Sequence, residues 1–320
     1  MSQHQTACAL EVLKIPLLQP KKWTTFVLRD DWNHLKGHPA VNGNKFRKLF
    51  FLNDEGNRGI YQVESHGSIQ SNAMFSIASI CFKNGWKFKY HIDRSMDCVI
   101  GANKIGNLHH TYSLIDKGLD MEFITSPDYS NVKELFKRRA LSNNYLKDGI
   151  LYLREGVAQP QAEKGYIQLA QDLMHHQELQ HYERVNVFLP SGTGTSALYL
   201  TKNLDKRFKV FTTNCVGDES FLVAQFKELE QNVLFYPTIL QTTRKYHYGK
   251  LYREMYEIIN RVESECGIKF EYLYDAKGLL SIVENVHLFE DNAPLIYVHS
   301  GGEIGSKSMA ERYKQYLRIG

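Results

Sequence analysis

Short β-type runs alternate with longer segments of helical spacing along almost the whole chain, and this alternation limits the fold more than any other feature. The runs are TFVLR from Thr25, IYQV from Ile60, WKFKYHI from Trp86, MEFI from Met121 and ILYL from Ile150, then VNVFL from Val185, VFTTN from Val210, VLFYP from Val233 and LIYVH from Leu295. Between them apolar residues recur at helical intervals, as in 72–82 and 132–141. Strands separated by helices pair in parallel through right-handed crossovers and carry helices on both faces. The chain is therefore α/β. Its 320 residues exceed one ordinary compact core, and two parallel sheets, one from each set of runs, fit the length. No Pro/Gly/Ser-rich linker and no fixed-period repeat separates the two sets.

Composition removes several classes of function. With 43% hydrophobic and 12% aromatic residues, and only 22 Gly and 8 Pro, there is enough apolar surface to offset chain ordering, which excludes a disordered or collagen-like chain. Thirty-nine Lys and Arg against 35 Asp and Glu leave a formal charge of +4, too mild and dispersed for a nucleic-acid surface. The five cysteines, Cys8, Cys81, Cys98, Cys215 and Cys266, form no CxxC pair, so reduced thiols are expected rather than a disulfide framework or zinc knuckle. The pairs His109–His110 and His175–His176 have no third ligand at metal spacing, and no metal is expected. The first residues lack a basic segment followed by an apolar one, and the longest nearly apolar run, 73–82, is too short for a bilayer. A cytoplasmic protein with no membrane or nucleic-acid partner is expected.

Ligands of α/β sheets bind beyond the carboxyl ends of strands, so the strand-to-helix loops carry the functional signals. PSGTGTSA at 190–197 reads as an anion cradle: Gly192 and Gly194 let backbone amides approach an oxyanion, Thr193 and Thr195 offer hydroxyls, and Thr195 can cap the following helix. A plain tight turn is the other reading. Gly192-x-Gly194-x-x-Ala197 also meets the loose dinucleotide pattern of a nicotinamide oxidoreductase, but the next strand ends Thr212-Thr213-Asn214 with no acidic tip, and Asp218 lies in the loop beyond. VNGNKFRKL at 41–49 delivers Lys45 ahead of Arg47 and Lys48, which suits either a lysine of lowered pKa for Schiff-base chemistry or a solvated basic helix start. ESHGSIQSNAMFS at 64–76 crowds hydroxyl and amide donors at a helix start; a cap explains Ser71 or Asn72 but not Ser68, Gln70, Ser71 and Asn72 together. YDAKGL at 274–279 and YVHSGG at 297–302 end β-type segments in small residues, with Asp275 either a cleft carboxylate or a helix cap, His299 either a site residue or a core histidine, and Ser300 either a site residue or a turn former.

Taken in this order, NGNKFRKL, SIQSN, SGTGTSA, YDAKG and YVHSGG resemble the family of 1-aminocyclopropane-1-carboxylate (ACC) deaminase and D-cysteine desulfhydrase, pyridoxal-phosphate enzymes of the tryptophan-synthase-β fold type. The likeness runs from about Arg29 to about Gly302 and includes REGVAQPQAEKGY at 154–166. The resemblance implies a discontinuous cofactor-binding domain, 1–50 with 158–320, a smaller α/β domain, 51–157, and pyridoxal 5'-phosphate between the two sheets.

It further implies that Lys45, and not Lys48, bears the cofactor. Gly192, Thr193, Gly194 and Thr195 would hold the phosphate, with Asn44 and Asn72 beside the ring. Gln70, Ser71 and Asn72 would bind the substrate carboxylate, and Tyr274 and Tyr248 would line the substrate side, with Lys45, Ser71 and Tyr274 handling protons. Two motifs depart from the deaminase pattern. Tyr274-Asp275 stands where those enzymes have Tyr-Glu, and His299-Ser300 where they have His-Leu, so either Asp275 or Ser300 is expected at the pyridine nitrogen. The implied activity is a deaminase or lyase on a small amino acid, by β-elimination from a D-cysteine-like substrate or by ACC ring opening, in a homodimer. A racemase or synthase on the same fold is the other pyridoxal-phosphate reading.

Overall fold

In a computed structural model of the chain, residues 8–18, 23–35, 38–53, 59–93, 106–142 and 144–318 are described. They form two compact units. The first lies within Met1–His34, Asn42–Asn44 and Gly165–Gly320, and the second within Leu35–Val41 and Lys45–Lys164. The segments 45–50 and 158–164 thus cluster with the second unit.

The first unit holds a six-stranded sheet in the spatial order Leu10–Leu13, Thr25–Leu28, Leu295–Val298, Val185–Phe188, Phe208–Thr212, Thr238–Ile239. Only the first pairing is antiparallel. Thr25–Leu28, Leu295–Val298 and Val185–Phe188 are buried along their length, as parallel strands covered on both faces must be. Val27, Phe188, Phe211, Leu295 and Tyr297 share one core with Ile259 and Leu279 from the helices Arg253–Cys266 and Asp275–Glu284.

The second unit holds a five-stranded sheet in the order Met121–Thr125, Lys87–Ile92, Gln62–His66, Ile150–Leu153, Leu146–Lys147, parallel except for the last pair. Its core gathers Val63, Phe88 and Leu151 with Met74, Ile77 and Ala78 of the helix Asn72–Asn84. The expected α/β class with two largely parallel, helix-flanked sheets is what the chain forms.

One expected strand is absent. VLFYP makes a 3-10 turn, Val233–Phe235, with Val233 and Leu234 exposed, and the pairing passes to the two-residue strand Thr238–Ile239. Among the described residues no helix is long and apolar enough to cross a membrane, and Cys8, Cys81, Cys215 and Cys266 are free; Cys98 lies outside them.

Candidate active site

In the first unit the candidate residues sit beyond the carboxyl ends of parallel strands. After Val185–Phe188 the chain stays pinned to its neighbour, since Ser191 donates its amide to the Thr213 carbonyl at 2.9 Å and accepts from the Cys215 amide at 2.8 Å. It then turns through Gly192 and Gly194 into the helix Thr195–Asn203. Gly194, at φ +73°, is the cap residue, and no side chain caps this helix, contrary to the cap expected of Thr195, whose hydroxyl instead lies 3.0 Å from that of Thr193. A glycine cap has no side chain to offer, so the helix start presents its first-turn amides and its dipole on this side. A Cβ on Gly194 would overlap the Phe226 ring. A buried bond of 2.6 Å from Tyr166 to Ser196 steadies the first turn from the helix Glu163–His175. Asp218 is taken up as the cap of the helix Glu219–Leu229, accepting from the Phe221 amide at 2.9 Å, which removes the one acidic candidate for a ribose contact.

Tyr274 lies over this loop. A Cβ on Gly192 would come 3.1 Å from its ring, and its hydroxyl accepts from that of Tyr248 at 3.2 Å. Burial, and then the Tyr248 hydroxyl, hold the Tyr274 phenol well above the usual tyrosine range. Tyr248 is 48% exposed.

Asp275 follows Tyr274 as the first residue of the helix Asp275–Glu284, but its carboxylate is 3% exposed and both oxygens are engaged. Tyr297 donates to Oδ1 at 2.6 Å and the Glu271 amide to Oδ2 at 2.8 Å. Burial raises its carboxyl above the usual aspartate range, against the opposing pull of His299 and Tyr297. On the same helix Lys277 is buried and donates to the Asn214 carbonyl.

His299 is a core histidine, donating from Nε2 to the Lys269 carbonyl and accepting at Nδ1 from the Gly301 amide at 3.3 Å. With Asp31 and Glu303 it forms the sort of cluster that can hold a cation, but both Asp31 oxygens already accept from Arg29. Ser300 is partly exposed, and its carbonyl accepts from the Asn44 amide at 3.1 Å. That approach requires glycine at 43, where φ is +53° and a Cβ would overlap the Ser300 carbonyl.

In the second unit Lys45 stands in the first turn of the helix Gly43–Leu49. The basic residues after it are not solvated: Arg47 is fully buried, and Lys48, 4% exposed, donates to the Gly156 carbonyl at 3.0 Å. Burial first, and then the Lys45 charge, push the Lys48 amine well below the usual lysine range. The solvated-face reading of this segment therefore fails. Lys48 is tethered to a carbonyl.

Gln70, Ser71 and Asn72 share one turn after the strand Gln62–His66. The turn is closed by a bond from the Ser71 amide to the Ser68 carbonyl at 3.0 Å, and Tyr90 donates to that carbonyl at 3.1 Å. Ser71 caps the helix Asn72–Asn84, accepting from the Ala73 and Met74 amides at 3.1 and 3.5 Å. Capping uses oxygen lone pairs and leaves the Ser71 proton to be donated elsewhere. His66 accepts at Nε2 from the Glu155 amide at 3.2 Å and faces the Tyr129 hydroxyl with Nδ1; burial drives its pKa down to about 3.

Two buried residues around these loops, Tyr90 and Asn107, carried no site signal in sequence, and two more, Tyr166 and Lys277, lie inside quoted motifs that gave them no role of their own. Asn107 opens the helix Asn107–Asp116 and donates to the Gln70 carbonyl at 2.9 Å and to Oδ1 of Asn72 at 2.6 Å. Its Gly-Asn step before a helix could have been read as a cap.

No family model matches the chain. It is similar to a protein of Oryza sativa subsp. japonica named putative D-cysteine desulfhydrase 2, mitochondrial, with 24% identity over 344 residues, 91% of this chain and 80% of that one. Among solved structures it resembles an ACC deaminase homologue at TM-score 0.71 and 20% identity, over 97% of this chain and 94% of that one. It also resembles a hydrogen sulfide-producing enzyme from Fusobacterium nucleatum at TM-score 0.57 and 12% identity, over 93% and 97%. These likenesses agree with the resemblance carried by the five motifs, and the fold is that of the pyridoxal-phosphate enzymes of the tryptophan-synthase-β type.

Proposed function

We propose that the chain is a pyridoxal-phosphate-dependent deaminase or lyase of a small amino acid, acting by β-elimination on a D-cysteine-like substrate to give pyruvate, ammonia and sulfide. The observation that carries this reading is the 192–195 loop, two glycines leading into a helix that no side chain caps, with Tyr274 packed against Gly192. Such a loop suits a phosphate monoester, because a glycine at the cap position keeps the helix start clear of a capping side chain and a Cβ at either glycine would press on Tyr274 or Phe226.

In this reading Gly192, Thr193, Gly194 and Thr195 hold the phosphate, Asn44 and Asn72 flank the ring, and Lys45 is the attachment point. The bound cofactor supplies an electron sink at the substrate α-carbon. Gln70, Ser71 and Asn72 grip the carboxylate through the turn and helix start that they form. The Lys45 amine takes the α-proton. Tyr274, with its phenol held protonated, is a proton donor on the substrate side, and Tyr248 borders it. Ser300 is the better partner for the ring nitrogen, because both oxygens of Asp275 are committed inside the unit. A hydroxyl makes a weaker sink than a carboxylate, which suits elimination of a good leaving group such as a thiolate. Free, dispersed cysteines suit a cytoplasmic setting, and a homodimer remains the assembly proposed.

Visible absorbance of the purified protein, abolished by borohydride, tests the cofactor. Incubation with D-cysteine and with ACC, scored for sulfide with pyruvate and for 2-oxobutanoate, tests the reaction. A colourless protein that binds a nicotinamide dinucleotide would overturn the reading, and racemised product without ammonia would move it to another activity of the same fold.

A further inference from the structure

The second unit commits a buried residue, Asn107, to the 68–72 turn by a bond pattern that determines which way a neighbouring amide faces. Asn107 is 2% exposed, and its side-chain nitrogen lies 2.9 Å from the Gln70 carbonyl oxygen and 2.6 Å from Oδ1 of Asn72. The carbonyl can only accept, so the Asn107 atom facing it is the NH2 group. Its second proton then meets Asn72, and the Asn72 atom that receives it is the oxygen. Asn72 is thereby held with Oδ1 toward Asn107 and its donor, Nδ2, turned away. Oδ1 of Asn107 is buried without a hydrogen-bond partner among the described residues. An unpaired buried oxygen is unfavourable, so the two bonds of the NH2 group must offset it in this orientation.

We infer that Asn107 is a positioning residue that fixes the polarity of Asn72, so that the 70–72 turn presents a donor rather than an acceptor to the substrate carboxylate. The inference rests on reading that turn as the carboxylate site. A carboxylate accepts only, and a reversed Asn72 amide would set oxygen against oxygen. The nearby Leu108 amide, at 3.5 Å from Oε1 of Gln70, ties the same helix start to the other amide of the turn.

The test uses the cofactor-loaded protein with D-cysteine as probe. Asn107→Asp keeps the shape but cannot donate, and its carboxylate draws Nδ2 of Asn72 to itself. Expected are a rise in KM of about tenfold or more, a smaller rise for Asn107→Ala, a much smaller change in kcat than in KM, and retention of the bound cofactor. In an Asn72→Ala background the further effect of Asn107→Asp should fall to about twofold or less, because the two residues act as one unit. An unchanged KM, a loss confined to kcat, or full additivity would overturn the inference. Should the wild-type protein hold no cofactor, the proposed function fails by itself. The side-chain amide resonance of Asn72, identified by its loss in Asn72→Ala, then tests the inference directly: it should move in Asn107→Asp, and a resonance that stays in place overturns it.

Discussion

Tyr297 donates its hydroxyl to Oδ1 of Asp275 across 2.6 Å, and both side chains are buried. The bond joins the strand Leu295–Val298 to the start of the helix Asp275–Glu284, directly after Tyr274. Tyr297→Phe removes the donor and leaves a buried carboxylate oxygen unpaired, so unfolding in urea should show a loss of about 1–3 kcal/mol. Because burial raises the Asp275 pKa, its contribution to stability is complete below the ordinary value of 3.8 and is lost as pH rises through the raised one. Asp275→Asn should flatten that part of the stability profile, and an unaltered profile would count against this account.

Lys45 and Lys48 are three residues apart and should behave oppositely. Lys45→Ala is expected to abolish turnover and visible absorbance while the protein stays folded. Lys48→Met removes a buried amine whose charge is disfavoured by burial, and should keep the absorbance with stability unchanged or higher. Peptide mapping after borohydride reduction locates the pyridoxyl group, and its appearance on Lys48 would reverse the assignment.

Glycine 192 is the cleaner probe of the phosphate cradle. At Gly194 a side chain would strike Phe226 and Leu222 at a positive φ, so loss of cofactor there would be confounded with damage to the fold. At Gly192 no positive φ is involved, and the neighbour is the end of the Tyr274 ring, which an alanine would displace by only a few tenths of an ångström. Gly192→Ala should weaken cofactor retention about tenfold, read by dialysis and absorbance, with a melting temperature for the cofactor-free protein close to that of the wild type.

His66 gives the second unit an acid limit. It is neutral in the folded state because Nε2 accepts from the Glu155 amide and burial holds its pKa at about 3, whereas an unfolded histidine titrates near 6.5. The unfolded chain therefore binds the proton first, and stability falls as pH drops below about 6.5, by about 1.4 kcal/mol per pH unit until pH approaches 3. His66→Gln should be less stable at pH 7 but show a shallower decline, measured by denaturant unfolding at pH 7, 6 and 5.

The alternation of β and helical runs was enough to read two parallel sheets, because strands buried on both faces are apolar nearly throughout. It misled at Val233, where β-type residues face solvent and have no strand to pair with. The local structure of the candidate loops was legible where the chain must bend or cap a helix, as at Gly194 and Ser71. It was not legible where a polar group is buried by contacts made far along the chain. Nothing local distinguishes Lys48, held by Gly156, from an exposed lysine, and nothing marks Asn107 as bonded to a turn 35 residues earlier. Asp275 shows the same limit: its neighbours suit a cleft, but its carboxylate is turned to Tyr297 and Glu271.

The strand Leu295–Val298 lies between Thr25–Leu28 and Val185–Phe188, so the middle of the first sheet is made of segments synthesised at opposite ends of the chain. On the ribosome Thr25–Leu28 and Val185–Phe188 must wait for 295–298 to leave the exit tunnel before the sheet joins them. The second unit, nearly continuous within 45–164, can close much earlier. During translation the second sheet can thus pair fully while the first still lacks its central strand.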